Sequence, residues 1–218
     1  MSDWPAAILW DMDGTLVDTE PYWFAAEHEL VAAHGGTWSD EQAHSLVGQE
    51  LLTLAAYIRA NGPVPLEPQA IVNTLMAAVM VRVARHLPWL PGAADLLALQ
   101  AAAGIPSALV TMSWRPLVDA VLLVLPAGTF SAVVTGDEVT AGKPDPEAYL
   151  LAAERLGLAP ADCLAIEDSV PGTASARAAG VPVLAVPHLV PLAPTPGQVL
   201  RPTLAGLDLA TLRALFDR

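Results

Sequence analysis

The stretch Trp10-Asp11-Met12-Asp13-Gly14-Thr15-Leu16-Val17-Asp18 decides how the rest of the chain is read. Ahead of it, residues 6–10 form a short apolar run of the length of a buried strand. At the end of that run two carboxylates stand two residues apart, and a glycine follows. If the strand continued, Asp11 and Asp13 would share one face with like charges close together. Such a pair is unfavourable unless a cation lies between them or one keeps its proton. Gly14 permits a tight turn, and Thr15 offers a hydroxyl beside exposed amides. Alone, an Asp-x-Asp ending reads as ordinary strand-end capping. The motifs further along the chain are what that plain reading leaves unexplained.

Composition limits the partners. The 218 residues are 54% hydrophobic and 15% charged, which describes a globular chain with room for a core and one inserted smaller domain. With 23 acidic and 10 basic residues the net charge is −13, so nucleic acid and anionic membrane are both expected to be repelled. An anionic small molecule stays possible wherever a cation or a few basic groups are concentrated. No basic segment precedes the first apolar run, and the densest apolar run, residues 118–125, is too short to span a bilayer. The single Cys163 has no partner for a disulfide within the chain and falls in an apolar run, as a small core residue. The expected compartment is the cytoplasm, and the expected assembly a monomer or small homo-oligomer.

From residue 19 to 86 the pattern is helical. Pro21 suits the first turn of a helix carrying Tyr22, Phe24, Ala25 and Leu30 toward Gly35-Gly36. Ser39-Asp40-Glu41-Gln42 reads as a capping box. Further helices are expected over residues 51–60 and from 67 or 68 to 85. After residue 90 helices and strands alternate. Helices are predicted over 93–103, 118–125, 146–156 and 171–179, and strands over 105–110, 132–134, 164–166 and 181–186. The Pro-rich segment 187–202 is expected to be a surface loop before a short C-terminal helix. Alternation of this kind builds a parallel sheet with right-handed crossovers, whose ligands bind beyond the carboxyl ends of the strands. The polar clusters Asp11-Met12-Asp13, Thr111-Met112-Ser113 and Glu167-Asp168-Ser169 all fall at such ends.

These clusters, with Gly142-Lys143-Pro144-Asp145-Pro146 ahead of a helix, resemble in order the four signature motifs of the haloacid dehalogenase superfamily. The helical block after the first motif resembles the cap of the subgroup with β-phosphoglucomutase and phosphoglycolate-type phosphatases. The resemblance implies an α/β fold: a Rossmann-like parallel sheet core over residues 1–16 and 87–218, with a helical-bundle cap inserted over 17–86. It implies a Mg²⁺-dependent phosphotransferase acting on a small phosphorylated metabolite. Asp11 would be the nucleophile that forms an aspartyl-phosphate, and Asp13 the general acid and then base. Asp11, the Asp13 carbonyl and Asp168 would hold the metal, with Glu167 in support. Thr111, the Met112 amide and Gly14 would bind the phosphate, and Gln49 the substrate from the cap.

Lys143 is the only lysine among ten basic residues, the other nine being arginine. A compact ammonium on a flexible stem can reach both a phosphate oxygen and the nucleophile. Arg115 reads more simply as an exposed first-turn residue, and the five histidines show no ligand spacing. Within the subgroup, mutases resembling this chain place a cap Arg shortly after a Gly, where Leu46-Val47-Gly48-Gln49-Glu50 has Gln49, and a cap His where this chain has Trp23. Hydrolysis is therefore the expected outcome. A sugar-phosphate mutase is the alternative, and a non-catalytic phosphometabolite-binding protein the second.

Overall fold

Six parallel strands form one sheet in the order β3-β2-β1-β4-β5-β6. The computed structural model describes residues 4–47 and 49–216. The strands are β1 (Ala7–Trp10), β2 (Ser107–Val110), β3 (Ala132–Val134), β4 (Cys163–Glu167), β5 (Val183–Ala185) and β6 (Gln198–Leu200). The helices are α1 (Glu20–Ala33), α2 (Asp40–His44), α3 (Leu51–Asn61), α4 (Pro68–Arg85), α5 (Ala93–Ala102), α6 (Arg115–Leu123), α7 (Glu147–Leu156), α8 (Val170–Ala178) and α9 (Leu209–Phe216).

The central strands are buried on both faces, which is why they read as unbroken apolar runs. Ala7 and Leu9 of β1 join Val110, Ala165 and Val183 in a cluster roofed by Ala148, Tyr149 and Ala152 of α7. Small alanines on both sides let the helix lie close to the sheet. Trp10 points the opposite way, and its indole donates to Gln100 Oε1 of α5 at 2.9 Å. The Gln100 amide in turn donates to the carbonyls of Ile105 and Pro106 ahead of β2. That polar clamp fixes the last residue of β1 immediately before Asp11. Cys163 lies in the alanine-rich cluster, where burial pushes its thiol up to about 11, the state of an inert core residue.

The chain divides into two units: one runs up to Asp18 and resumes at Pro88, and the other is Thr19–Leu87. The second unit holds α1 to α4, with α1 and α3 both packed on α4. Its core includes Leu30, Ile58, Ile71, Leu75 and Val79, each worth about 1.5–3 kcal/mol by burial. The Ser39 capping box is complete: its hydroxyl takes the Gln42 amide and Gln42 Oε1 takes the Ser39 amide.

Three expectations are corrected. The strand leading to Asp11 stops at Trp10, so a continued pleat does not set the direction of the two carboxylates. Helix α1 carries Tyr22, Phe24, Ala25 and Leu30 as expected and buries Trp23, Ala26, Glu27, Leu30 and Val31; it is apolar on several sides, so periodicity alone does not choose its inner face. Helix α6 starts at Arg115, where Pro116 suits the first turn, and ends at Leu123. Segment 187–202 contains β6, an edge strand too short to show a period.

Candidate active site

Strands β1, β2 and β3 succeed one another on one side of β1, whereas β4 returns to its other side. The sheet therefore reverses between β1 and β4, the place where open parallel sheets bind ligands. Asp11 follows β1 there, its amide donating to Ile166 O at 3.1 Å, while Glu167 ends β4 and Asp168 comes next.

Past Asp11 the backbone curls. Met12 O accepts the amides of Thr15, Leu16 and Val17 at 3.4, 2.9 and 3.0 Å. Gly14 takes φ 86°, and a methyl group at this position would overlap the Asp168 carboxylate. The missing side chain is what lets the β4 end close on the β1 turn. Thr15 Oγ1 donates to Asp168 Oδ1 at 3.3 Å, completing that contact.

Lys143 joins the two strand ends. Its ammonium donates to Asp11 Oδ1 at 2.7 Å, Glu167 Oε1 at 2.6 Å and Val110 O at 2.8 Å, so its three protons are all engaged. Burial works against its charge, but Asp11 and Glu167 outweigh that and hold it above the ordinary lysine value. Glu167 is fully buried and saturated. Besides Lys143, Oε1 accepts the Tyr149 hydroxyl at 2.8 Å, and Oε2 accepts Ser169 Oγ at 3.1 Å. Ser169 also caps α8 by accepting the Gly172 amide at 3.0 Å. A methyl group on Gly172 would overlap both Glu167 oxygens.

On the other flank, Ser113 Oγ donates to Asp13 Oδ2 at 2.7 Å and the Ser113 amide donates to Thr111 Oγ1 at 3.0 Å. Met112 turns its sulfur to the Lys143 amide at 3.3 Å, so its side chain braces the lysine loop. Arg115 lies 3.8 Å from Asp119, in the pairing of an exposed helix residue. Gln49 belongs to the helical unit and is exposed, and Gly48 beside it lies outside the described residues. Of the histidines, His28 pairs with Asp40 at 3.1 Å and His188 lies 3.4 Å from Asp18.

Carboxylate oxygens of Asp11, Glu167 and Asp168 lie within 4.8 Å of one another. One ammonium faces these three carboxylates, and Asp11 and Asp168 are both shifted upward, by burial first. Burial raises Asp11 well above the carboxylate range, Lys143 opposes this, and the charges of Glu167 and Asp168 add to it. Burial, then the Glu167 charge, pushes Asp168 up to about 7. Asp11 Oδ2 is buried and accepts no hydrogen bond from the described residues. An orphaned carboxylate oxygen amid excess negative charge and hard oxygen donors fits a divalent magnesium ion.

A family model of haloacid dehalogenase-like hydrolases matches residues 5–180. The chain belongs to the haloacid dehalogenase-like hydrolase family. Protein CbbY of Rhodobacter capsulatus, a relative, is 37% identical over 196 residues, which are 83% of this chain and 85% of that protein. Hexitol phosphatase A of Escherichia coli K12 is 33% identical over 190 residues, 82% of this chain and 81% of its own. A solved structure of mutant CbbY from Rhodobacter sphaeroides in complex with xylulose-(1,5)bisphosphate is similar with a TM-score of 0.84 and 30% identity. It covers 95% of this chain and 98% of that one.

Three contributors to the family site carry no signal of their own in the sequence. Tyr149 sits inside the apolar stretch of α7, where an aromatic reads as core. Ser113 and Ser169 stand within the quoted motifs, but only the folded geometry shows that one serves Asp13 and the other Glu167.

Proposed function

We propose that this protein is a Mg²⁺-dependent phosphatase that hydrolyses a small phosphomonoester, of a sugar or polyol, through an aspartyl-phosphate on Asp11. The observation that carries this reading is the state of Asp11: one oxygen held by Lys143, the other buried at the sheet's reversal with no donor among the described residues. A carboxylate so placed is fixed in position ahead of its attack on phosphorus. The relative named a hexitol phosphatase and the sugar bisphosphate bound by CbbY support the substrate class.

In the first step Asp11 attacks phosphorus, the P–O ester bond breaks, and the leaving alkoxide takes a proton from Asp13. Water then attacks the phosphoryl group while Asp13 accepts its proton, and inorganic phosphate leaves with Asp11 restored. Ser113 holds the Asp13 carboxyl between these duties. Lys143 keeps Asp11 oriented and offers its charge to the phosphate oxygens. Asp11, Asp168 and the Asp13 carbonyl would hold Mg²⁺, which supplies charge neutralisation for the transferring phosphoryl group. Glu167, with its lone pairs already used, supports that set from behind.

Transfer to water rather than to a second sugar hydroxyl is supported within the helical unit. A mutase needs a cation for a distal phosphate; Arg59 is paired with Glu67 at 2.7 Å and Arg82 with Glu29 at 2.5 Å, and Arg85 stands in the last turn of α4, at the end of the unit. Trp23, at the position where the resembling mutases carry histidine, is buried in that unit's core.

The experiment is phosphate release from a panel of sugar and polyol phosphates with Mg²⁺, comparing wild type with Asp11→Asn. The variant is expected to fold normally and to show no turnover. Substantial turnover by Asp11→Asn, or full wild-type activity in excess EDTA, would remove the nucleophile or the metal from the mechanism. With β-glucose 1-phosphate and a trace of the 1,6-bisphosphate, glucose 6-phosphate accumulating without matching phosphate would favour the mutase.

A further inference from the structure

We infer that Tyr149 is a positioning residue of this site, holding the Lys143 ammonium on Asp11 by controlling the glutamate that competes for it. The inference rests on the reading of Asp11 as nucleophile and adds a residue that the reaction itself does not touch.

Tyr149 is fully buried and meets both members of the Lys143–Glu167 pair. Its hydroxyl donates to Glu167 Oε1 at 2.8 Å, the same oxygen that takes the Lys143 ammonium. Its ring lies beside that ammonium, 5.2 Å from nitrogen to centroid, within the range of a cation–π contact. Lys143 is therefore bounded by three acceptors and an aromatic face. Glu167 and Asp11 compete for its charge at nearly equal distance, 2.6 and 2.7 Å. A hydroxyl donated to Glu167 Oε1 takes up part of that oxygen's charge and leaves the ammonium shared with Asp11. Without it, the buried glutamate has one donor fewer and draws the ammonium toward itself. Hydrogen bonds to charged groups are strong enough for this loss to register. Alanines surround Tyr149 on α7, with Ala148, Ala152 and Ala153 all buried, so the phenol is the polar group this helix sends into the cluster.

Tyr149→Phe isolates the effect, because the ring and its packing remain and only the hydroxyl is lost. Two readouts are taken. The first is steady-state hydrolysis of p-nitrophenyl phosphate with Mg²⁺: kcat is expected to fall about tenfold with KM within about twofold of wild type. The second uses the chain's single lysine. Protein labelled with ¹⁵N at lysine Nζ gives one side-chain ammonium resonance, expected to be sharp in the wild type and shifted and broadened in Tyr149→Phe. A lowered melting temperature with unchanged kcat and an unchanged resonance would make Tyr149 a packing residue and overturn the inference. The resonance needs no substrate, so it still decides the role of Tyr149 if the wild type hydrolyses no phosphomonoester; that outcome would count against the functional reading alone.

Discussion

Glu167 in the sheet unit and Glu27 in the helical unit are both closed off from water, at 0% and 1% exposure, but the two regions bury a carboxylate by different means. Glu167 is met by an ammonium, a phenol and a serine hydroxyl, spread over both its oxygens. Glu27 Oε2 receives the indole of Trp38 at 3.0 Å. Burial pushes Glu27 up to about 7, and the Trp38 bond only partly opposes it. One neutral donor does not replace the hydration of a carboxylate. The sheet unit surrounds its buried glutamate with an ammonium and two hydroxyl donors beside Asp11. The helical unit tolerates a group that carries a proton to near neutrality.

The comparison breaks most directly at Lys143. Lys143→Ala leaves Asp11 and Glu167 buried without their cation, and a loss of about 3–5 kcal/mol is expected in urea unfolding at pH 7, with activity abolished. A variant as stable as wild type would mean that hydroxyl and amide donors suffice for Glu167.

Glu27 gives the next effect, as a dependence on pH. Its folded-state value near 7 lies above the ordinary 4.5, so between those values the folded unit binds a proton that the unfolded chain has released. Stability from this group is therefore complete below about pH 4.5 and falls by about 3 kcal/mol as pH rises through 7. Glu27→Gln keeps an acceptor for Trp38 and removes the titration. Hydrogen exchange of α1 amides should lose protection from pH 5 to 8 in the wild type relative to Glu27→Gln. Equal changes in both proteins would show that Glu27 stays charged.

A smaller effect is expected where the sheet unit's glutamate rests on bare backbone. Gly172→Ala places a methyl group against both Glu167 oxygens. A loss of about 2 kcal/mol is expected from the forced shift, together with reduced kcat. Wild-type stability and turnover would show that Glu167 has room to move.

Most of the strands were legible because strands buried on both faces announce themselves as apolar runs, whereas the strand order and the reversal between β1 and β4 come from the pairings of the fold. Asp11, Lys143, Glu167 and Asp168, quoted from motifs far apart in sequence, lie together at that reversal. What the sequence withheld has physical reasons. Tyr149 is an aromatic in an apolar helix, and nothing local reveals that its hydroxyl reaches Glu167. The choice of Trp23, Ala26 and Glu27 as the inner face of α1 depends on its neighbours, because the helix is apolar on several sides. Strand β6 takes its place from pairing with β5 rather than from any period within three residues. Glu27 looks like a surface glutamate until Trp38 closes over it.

The main chain leaves the sheet unit at Asp18 and resumes it at Pro88, and these two points are hydrogen bonded, Asp18 N to Pro88 O at 2.8 Å, with Val17 and Trp89 bridged antiparallel beside them. The doorway is thus stitched shut by the sheet unit's own backbone. Whatever lies beyond it adds no gap that the unit must span, and lengthening or replacing it changes closure entropy only slowly. A tight two-residue turn joining Asp18 to Pro88 would serve the same ends, since antiparallel neighbours need no more. The helical segment is in this sense a replaceable part. The pairing that closes the sheet unit at this point uses none of that segment's residues.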